Sequence, residues 1–224
     1  MSFVPSFFNF LVDHLKTDER QRMLRSLVPT VAPELWLSLE AAALLDVYRD
    51  RFNLDELFDQ PGLEIAPRSN VPRWLVAAER RKVDIWIEDL WGVEPSTAIE
   101  FKVIHNNKNM WTKVWEIRND LIKSIPNAST DVPVERWGVV LLVTSYFYPD
   151  QSGNYSHYKF KEHDNLLSAF LSGIADPGPW YENAPCLRVA APPVLIADMQ
   201  GAYFIDSKSQ QSNVYLVLLE LDKS

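Results

Sequence analysis

Asp84 and the triplet Glu100-Phe101-Lys102 combine residue types that do phosphate chemistry when they share a surface. Two carboxylates suit a hard divalent cation. Mg2+ takes oxygen ligands at about 2.0–2.1 Å, commonly one or two carboxylates with waters and phosphate oxygens. Such a cation polarises a phosphate and acidifies a bound water. A lysine beside it orients that water and offsets charge in the transition state. The alternative is a solvated strand face carrying a cross-strand ion pair.

The elements around these residues decide whether they meet. Val83-Asp84-Ile85-Trp86-Ile87 and residues 97–104 are rich in β-branched and aromatic side chains and are expected as strands. Side chains alternate along a strand, so Glu100 and Lys102 leave one face and Phe101 the other. The segment Trp91-Gly92-Val93-Glu94-Pro95-Ser96 supplies turn residues between the strands, which makes an antiparallel hairpin. A turn centred on Gly92 puts Asp84 opposite Glu100, and one centred on Val93 puts it opposite Lys102. Either register keeps the three charged groups on one face, whereas a slip by one residue breaks the site.

Helices are expected over residues 5–28, broken near Lys16-Thr17-Asp18, and from Pro33 to about Arg51. Leu37, Ala41, Leu44 and Tyr48 form the stripe of the second. Pro61-Gly62 makes a turn, and short strands are expected at Leu63-Glu64-Ile65 and Trp74-Leu75-Val76. After the motif, Asn106 or Asn107 is placed to cap a helix running to Ile125, where Pro126 stops it. Its stripe is Met110, Val114, Ile117, Leu121 and Ile125, widened by Trp111 and Trp115. Residues 137–144 are a near-continuous apolar run, as in a central strand covered on both faces. A Tyr-rich loop (146–158), a helix (162–174), a Pro/Gly loop (176–179) and strands at 187–189, 194–197, 202–205 and 213–221 complete the chain. The fold class is α/β, a mixed sheet flanked by helices. Residues 1–30 are set apart as an N-terminal helical arm, and 31–224 form one α/β domain.

Composition bounds the function. The 224 residues are 47% hydrophobic and 23% charged, enough for a sizeable core. One cysteine, Cys186, excludes an internal disulfide and a Cys-based zinc site, and fits a reducing, cytoplasmic setting. The Phe-rich start is interrupted by Asp13 and His14 and is too short to span a bilayer, so no membrane association is expected. Net charge is −8, which opposes loose electrostatic binding to nucleic acid. Residues 68–123, with ten bases against eight acids, are nevertheless locally positive. Arg80, Arg81, Lys108 and Lys113 are candidate nucleic-acid contacts within that window. His105 follows the motif strand, and His14, His157 and His163 show no metal-ligand spacing.

With these residues in this order, the stretch from about 34 to 144 resembles the PD-(D/E)XK nuclease superfamily, whose folds are restriction endonuclease-like. The matching pattern is a helix, a β-meander bearing Asp84 and then Glu100-x-Lys102, an amphipathic helix, and a buried strand. Val83 stands where the family often has proline. The resemblance implies catalytic Asp84, Glu100 and Lys102, with Mg2+ or Mn2+ held by Asp84, Glu100 and the main-chain carbonyl of Phe101. It implies hydrolysis of phosphodiester bonds in double-stranded DNA, of restriction or phage-defence type. Two cuts in a duplex need two sites, hence a homodimer, with the Phe-rich N-terminal helices as its surface. Such proteins often add an acid from the preceding helix. Glu40, between Leu37 and Leu44, is the first candidate and Glu79 the second; the alternative for Glu40 is a stripe-edge residue reaching solvent. The rival function is the same fold used as a non-catalytic DNA-binding or protein-interaction module.

Overall fold

The computed structural model describes residues 2–30, 33–57, 72–106, 109–126, 133–144, 163–175, 186–199 and 213–222. The turn at Pro61-Gly62, the strands at 63–65 and 202–205, and the loops at 146–158 and 176–179 lie outside them. So do Lys108, Asn107 and His157.

Helices α1 (Val4–Leu15), α2 (Asp18–Thr30) and α3 (Pro33–Val47) precede strands β1 (Trp74–Arg80), β2 (Val83–Asp89) and β3 (Ser96–His105). Then follow α4 (Met110–Ile122), β4 (Val134–Val143), α5 (His163–Ala175), β5 (Leu187–Asp198) and β6 (Asn213–Leu221). The six strands make one mixed sheet in the order β1-β2-β3-β4-β6-β5. β3 and β4 run parallel, joined by the α4 crossover that a parallel pair requires, and every other pair is antiparallel.

Alternation along the central strands divides the core in two. Ile85, Ile87, Ile99, Phe101, Val103, Val139 and Leu141 pack with α1, α2 and α3. Ile104, Val140, Leu142, Val217 and Leu219 pack with α4 and α5. Met110, Val114, Ile117 and Leu121 of the expected stripe are buried on α4, which ends at Ile122 rather than at Ile125; Ile125, past the helix end, is buried separately with Val83, Trp86 and Ala98. The β4 run is buried from Trp137 onwards, as its apolar continuity demands.

Within residues 1–30, Phe7, Phe8, Leu11 and Leu15 of α1 lie in the main core with sheet residues. Phe3 and Phe10 close on Phe52 and Tyr48 at ring-centroid distances of 5.1 to 6.2 Å. Several elements differ from expectation. α4 begins after Asn109; Asn106 instead ties the end of β3 to β4, its N–H donating to Val143 and its Nδ2 to Thr144. The strands expected at 187–189 and 194–197 are one strand, β5, running through Pro192-Pro193. An edge strand tolerates prolines, and register shifts from Val189 to Ala197 absorb them.

Turn chemistry holds the meander in register. The β1–β2 loop is Arg81-Lys82, both at φ near +60°, as a two-residue type I′ hairpin demands. At the far end of β2, the Asp89 carboxylate, whose side chain is fully buried, receives Arg73 Nε and Nη2 at 2.9 and 3.0 Å. It also accepts the backbone N–H groups of Trp91, Val93 and Glu94. Burial would push this carboxyl up, but Arg73 and the three N–H donors hold it well below the usual carboxylate range. Arg73 in turn lies over the Trp91 and Trp74 rings. The loop that aligns β2 with β3 is thereby fixed by one buried ion pair.

Candidate active site

β2 and β3 pair as Ile85↔Ile99, Trp86↔Ala98 and Ile87↔Thr97, the register that sets Asp84 across from Glu100. Alternation then puts Asp84, Glu100 and Lys102 on the face that α4 covers. The recorded pairs stop at Ile85↔Ile99, while β3 stays paired with β4 on its other side as far as His105. Beyond Ile99, side chains take over the edge of β3 that faces β2. The Phe101 N–H donates to Asp84 Oδ2, and the Val103 N–H donates to Glu34 Oε2 at 3.2 Å. In an extended strand a residue's N–H and C=O leave on the same edge, so the Phe101 carbonyl faces the side where Asp84 lies.

Glu34 was not among the sequence candidates. It sits in the first turn of α3, where a carboxylate also suits the helix dipole. Its Oε1 accepts from Lys102 Nζ at 3.0 Å. Glu40, two turns further along α3, goes elsewhere: it pairs with His14 at 2.6 Å and with Arg20. A charged residue amid an apolar stripe needs partners, and Glu40 finds them between helices rather than at the sheet. Glu79 is exposed, with φ at +53°. The flanking pairs Ala78↔Ile85 and Arg80↔Val83 set it across from Asp84, and its charge bears on that carboxyl.

α4 closes the site from above. Lys102 Nζ lies 3.5 Å from Asp120 and 4.0 Å from Glu116. Lys123, just past the end of α4, places Nζ 3.1 Å from Glu100 Oε1 and 3.0 Å from Asp120 Oδ1. The helix comes in close because Gly138, the β4 neighbour of Glu100, has no side chain: a Cβ there would lie 3.3 Å from Ile117 and Leu121. Arg136 on β4 donates to the Lys123 carbonyl at 2.7 Å and pins the helix end.

The electrostatics follow from burial. Glu100 is 5% exposed and Lys102 9%. Burial pushes the Asp84 carboxyl up to about 6; the Phe101 N–H opposes the rise, and the charges of Glu34 and Glu79 add to it. Burial likewise pushes Glu100 up to about 7, with Lys123 opposing and Asp84 and Asp120 adding. For Lys102 burial acts downward, but Glu34, Asp120 and Asp84 outweigh it and hold the ammonium above its ordinary value. Glu100 Oε1 is buried and makes no aligned hydrogen bond among the described residues; the Lys123 ammonium meets it as an ion pair.

The other expected contacts are mostly engaged. Arg81 bonds Glu88 at 2.9 Å and stacks on Trp86. Lys113 pairs with Glu116 at 2.6 Å. Arg80 is half exposed, 3.9 Å from Glu88. His105 is pushed down to about 4 by burial, so it is neutral at pH 7.

The buried Glu100 carboxylate, the half-buried Asp84 carboxylate and a main-chain carbonyl are hard oxygen donors and fit a hard divalent cation in chemistry. Among the described residues no three His, Cys, Asp or Glu side chains group as a metal cage. No family model, no curated protein and no solved structure matches this chain. Among the described residues no helix is long and apolar enough to cross a membrane.

Proposed function

We propose that this chain is a Mg2+-dependent endonuclease that hydrolyses phosphodiester bonds in DNA, with a restriction endonuclease-like core of the PD-(D/E)XK type. The observation that carries the reading is the meeting of Asp84, Glu100 and Lys102 on one face, where side chains replace the β2–β3 ladder. The order α3-β1-β2-β3-α4-β4, with β3 parallel to β4, also supports it.

Asp84, Glu100 and the Phe101 carbonyl are the groups to hold Mg2+ or Mn2+. A bound divalent cation supplies Lewis-acid polarisation of a phosphate and acidifies water. Lys102 brings a fixed positive charge to the site, oriented by Glu34, and offsets charge that develops on the phosphate. Asp120 and Glu116 keep that ammonium against the α4 side. Cutting both strands of a duplex calls for a homodimer, and a restriction or phage-defence role fits an enzyme of this class acting in the cytoplasm.

A second reading, a non-catalytic module that binds DNA or protein, draws on the same network. Lys102 is already engaged by carboxylates, Lys123 covers Glu100, and the chain is acidic overall. Metal binding separates the two. Converging carboxylates repel one another when ionised, so a divalent cation stabilises the folded state by mass action. Thermal melts at pH 8 are expected to rise with millimolar Mg2+ or Mn2+ in the wild type and not in Asp84→Ala. No rise in the wild type, or an equal rise in the variant, removes the metal site.

A further inference from the structure

Lys123 belongs to no motif, yet its ammonium is the partner of the most buried carboxylate in the site. It lies 3.1 Å from Glu100 Oε1 and 3.0 Å from Asp120 Oδ1, and Asp120 Oδ2 lies 3.5 Å from Lys102. Charges thus alternate in a chain: Glu100, Lys123, Asp120, Lys102, Glu34. Four of these five are tied to the secondary structure around them. Glu34 is held by the Val103 N–H, Glu100 and Lys102 stand on the part of β3 that pairs with β4, and Asp120 is within α4. Lys123 differs in its side chain, the most exposed of the five, although its backbone is held by Asn119 and Arg136 as well. It follows the last residue of α4, and its side chain is 36% exposed against 6% for Glu100. It has somewhere to go, and Glu100 does not.

Resting on the metal-site reading above, we propose that the Lys123 ammonium is an exchangeable stand-in for the cation at Glu100, so that metal loading displaces it towards solvent. The physical need is plain. A carboxylate this buried is costly without a positive neighbour, and one monovalent charge on a flexible stem supplies it until a divalent ion arrives. Both positive charges cannot sit against the same oxygen. The exchange makes Lys123 a competitor of the metal, and after displacement it remains on its four-carbon stem at the site's rim, still beside Asp120.

Competition gives a sign that a structural role does not. Removing a merely structural ion pair weakens metal binding or leaves it alone; removing a competitor strengthens it. Isothermal titration of Mg2+ into the metal-free protein at pH 8.5, with circular dichroism to establish folding, reads this directly. Lys123→Met, which keeps the stem, is expected to bind Mg2+ roughly tenfold more tightly than wild type, since a repelling charge is gone. Lys123→Arg, which keeps the charge, is expected to stay within about threefold of wild type. Should Lys123→Met fold poorly, Lys123→Gln carries the same expectation. Equal or weaker binding by the folded neutral variants overturns the exchange and leaves the metal site standing, provided Asp84→Ala abolishes the wild-type titration. Absence of any Mg2+ binding in wild type and neutral variants overturns both.

Discussion

Lys102→Met is expected to lower DNA cleavage by a factor on the order of 10² or more while leaving both carboxylates proposed to bind metal in place. Methionine keeps most of the aliphatic volume beside β3 and deletes the one ammonium that Glu34 and Asp120 both address. The loss is expected in kcat, because the charge that Lys102 is proposed to offset develops only as the phosphate reacts. DNA affinity falls slightly, since a single lysine adds one charge to a set of phosphate contacts. Removing a buried cation leaves carboxylates facing one another, so a melting curve of the variant precedes the rate measurement. Glu34 retains the Val103 N–H, which limits the damage to the fold. A folded Lys102→Met that cuts at the wild-type rate removes Lys102 from the chemistry.

Asp89→Asn is the substitution with the largest expected cost in stability, about 3–5 kcal/mol, the usual consequence of breaking a buried ion pair from one side. Asparagine keeps the shape but leaves the Arg73 guanidinium, 12% exposed, with the half-exposed Glu56 as its one carboxylate partner among the described residues. The amide also accepts poorly from three backbone N–H groups at once. For a chain of this length such a loss lowers Tm by roughly 10 °C. The pH dependence has a definite sign. The folded carboxyl is held below its ordinary value, so as pH is lowered the unfolded chain takes up its proton first and stability is lost. The stabilisation is complete above about pH 4 and is lost as pH drops towards the folded value. Denaturant melts from pH 7 to pH 3 are therefore expected to show the wild-type advantage over Asp89→Asn shrinking below about pH 4. A difference under about 1 kcal/mol at pH 7 contradicts the assignment of Asp89 as the pin of the β2–β3 loop.

Much of the scaffold is legible in the residues because one physical rule governs it. The α4 stripe from Met110 to Leu121 and the apolar β4 run each announce their faces by period, and both are buried as periodicity requires. The even-numbered register of Asp84 against Glu100 follows from the turn residues around Gly92. What periodicity does not carry is partner choice. Glu40 and Glu34 both lie on α3, and the sequence singles out Glu40 because it interrupts the stripe. Its partners, His14 and Arg20, come from α1 and α2, whose placement over α3 is a tertiary matter. Glu34 owes its position to the open edge of β3, which no local pattern encodes; Pro33-Glu34 as an acidic helix start was the one available signal. Glu116, Asp120 and Lys123 recur at four- and three-residue steps beside the α4 stripe. That spacing defines a polar line facing the sheet, although such a line reads at first as ordinary solvated surface. The prolines of β5 obscure a strand in the same way, since only its place at the sheet edge permits them.

The central claim is that Asp84 and Glu100 serve phosphodiester hydrolysis, and cleavage of supercoiled plasmid tests it most directly. Purified wild-type protein is incubated with plasmid in millimolar Mg2+ or Mn2+, in EDTA, and in parallel with folded Asp84→Asn. The account predicts conversion to nicked or linear DNA by wild type with divalent metal, and none in EDTA or with the variant. Plasmid left intact by wild type under both metals, or cut equally well in EDTA or by Asp84→Asn, contradicts it.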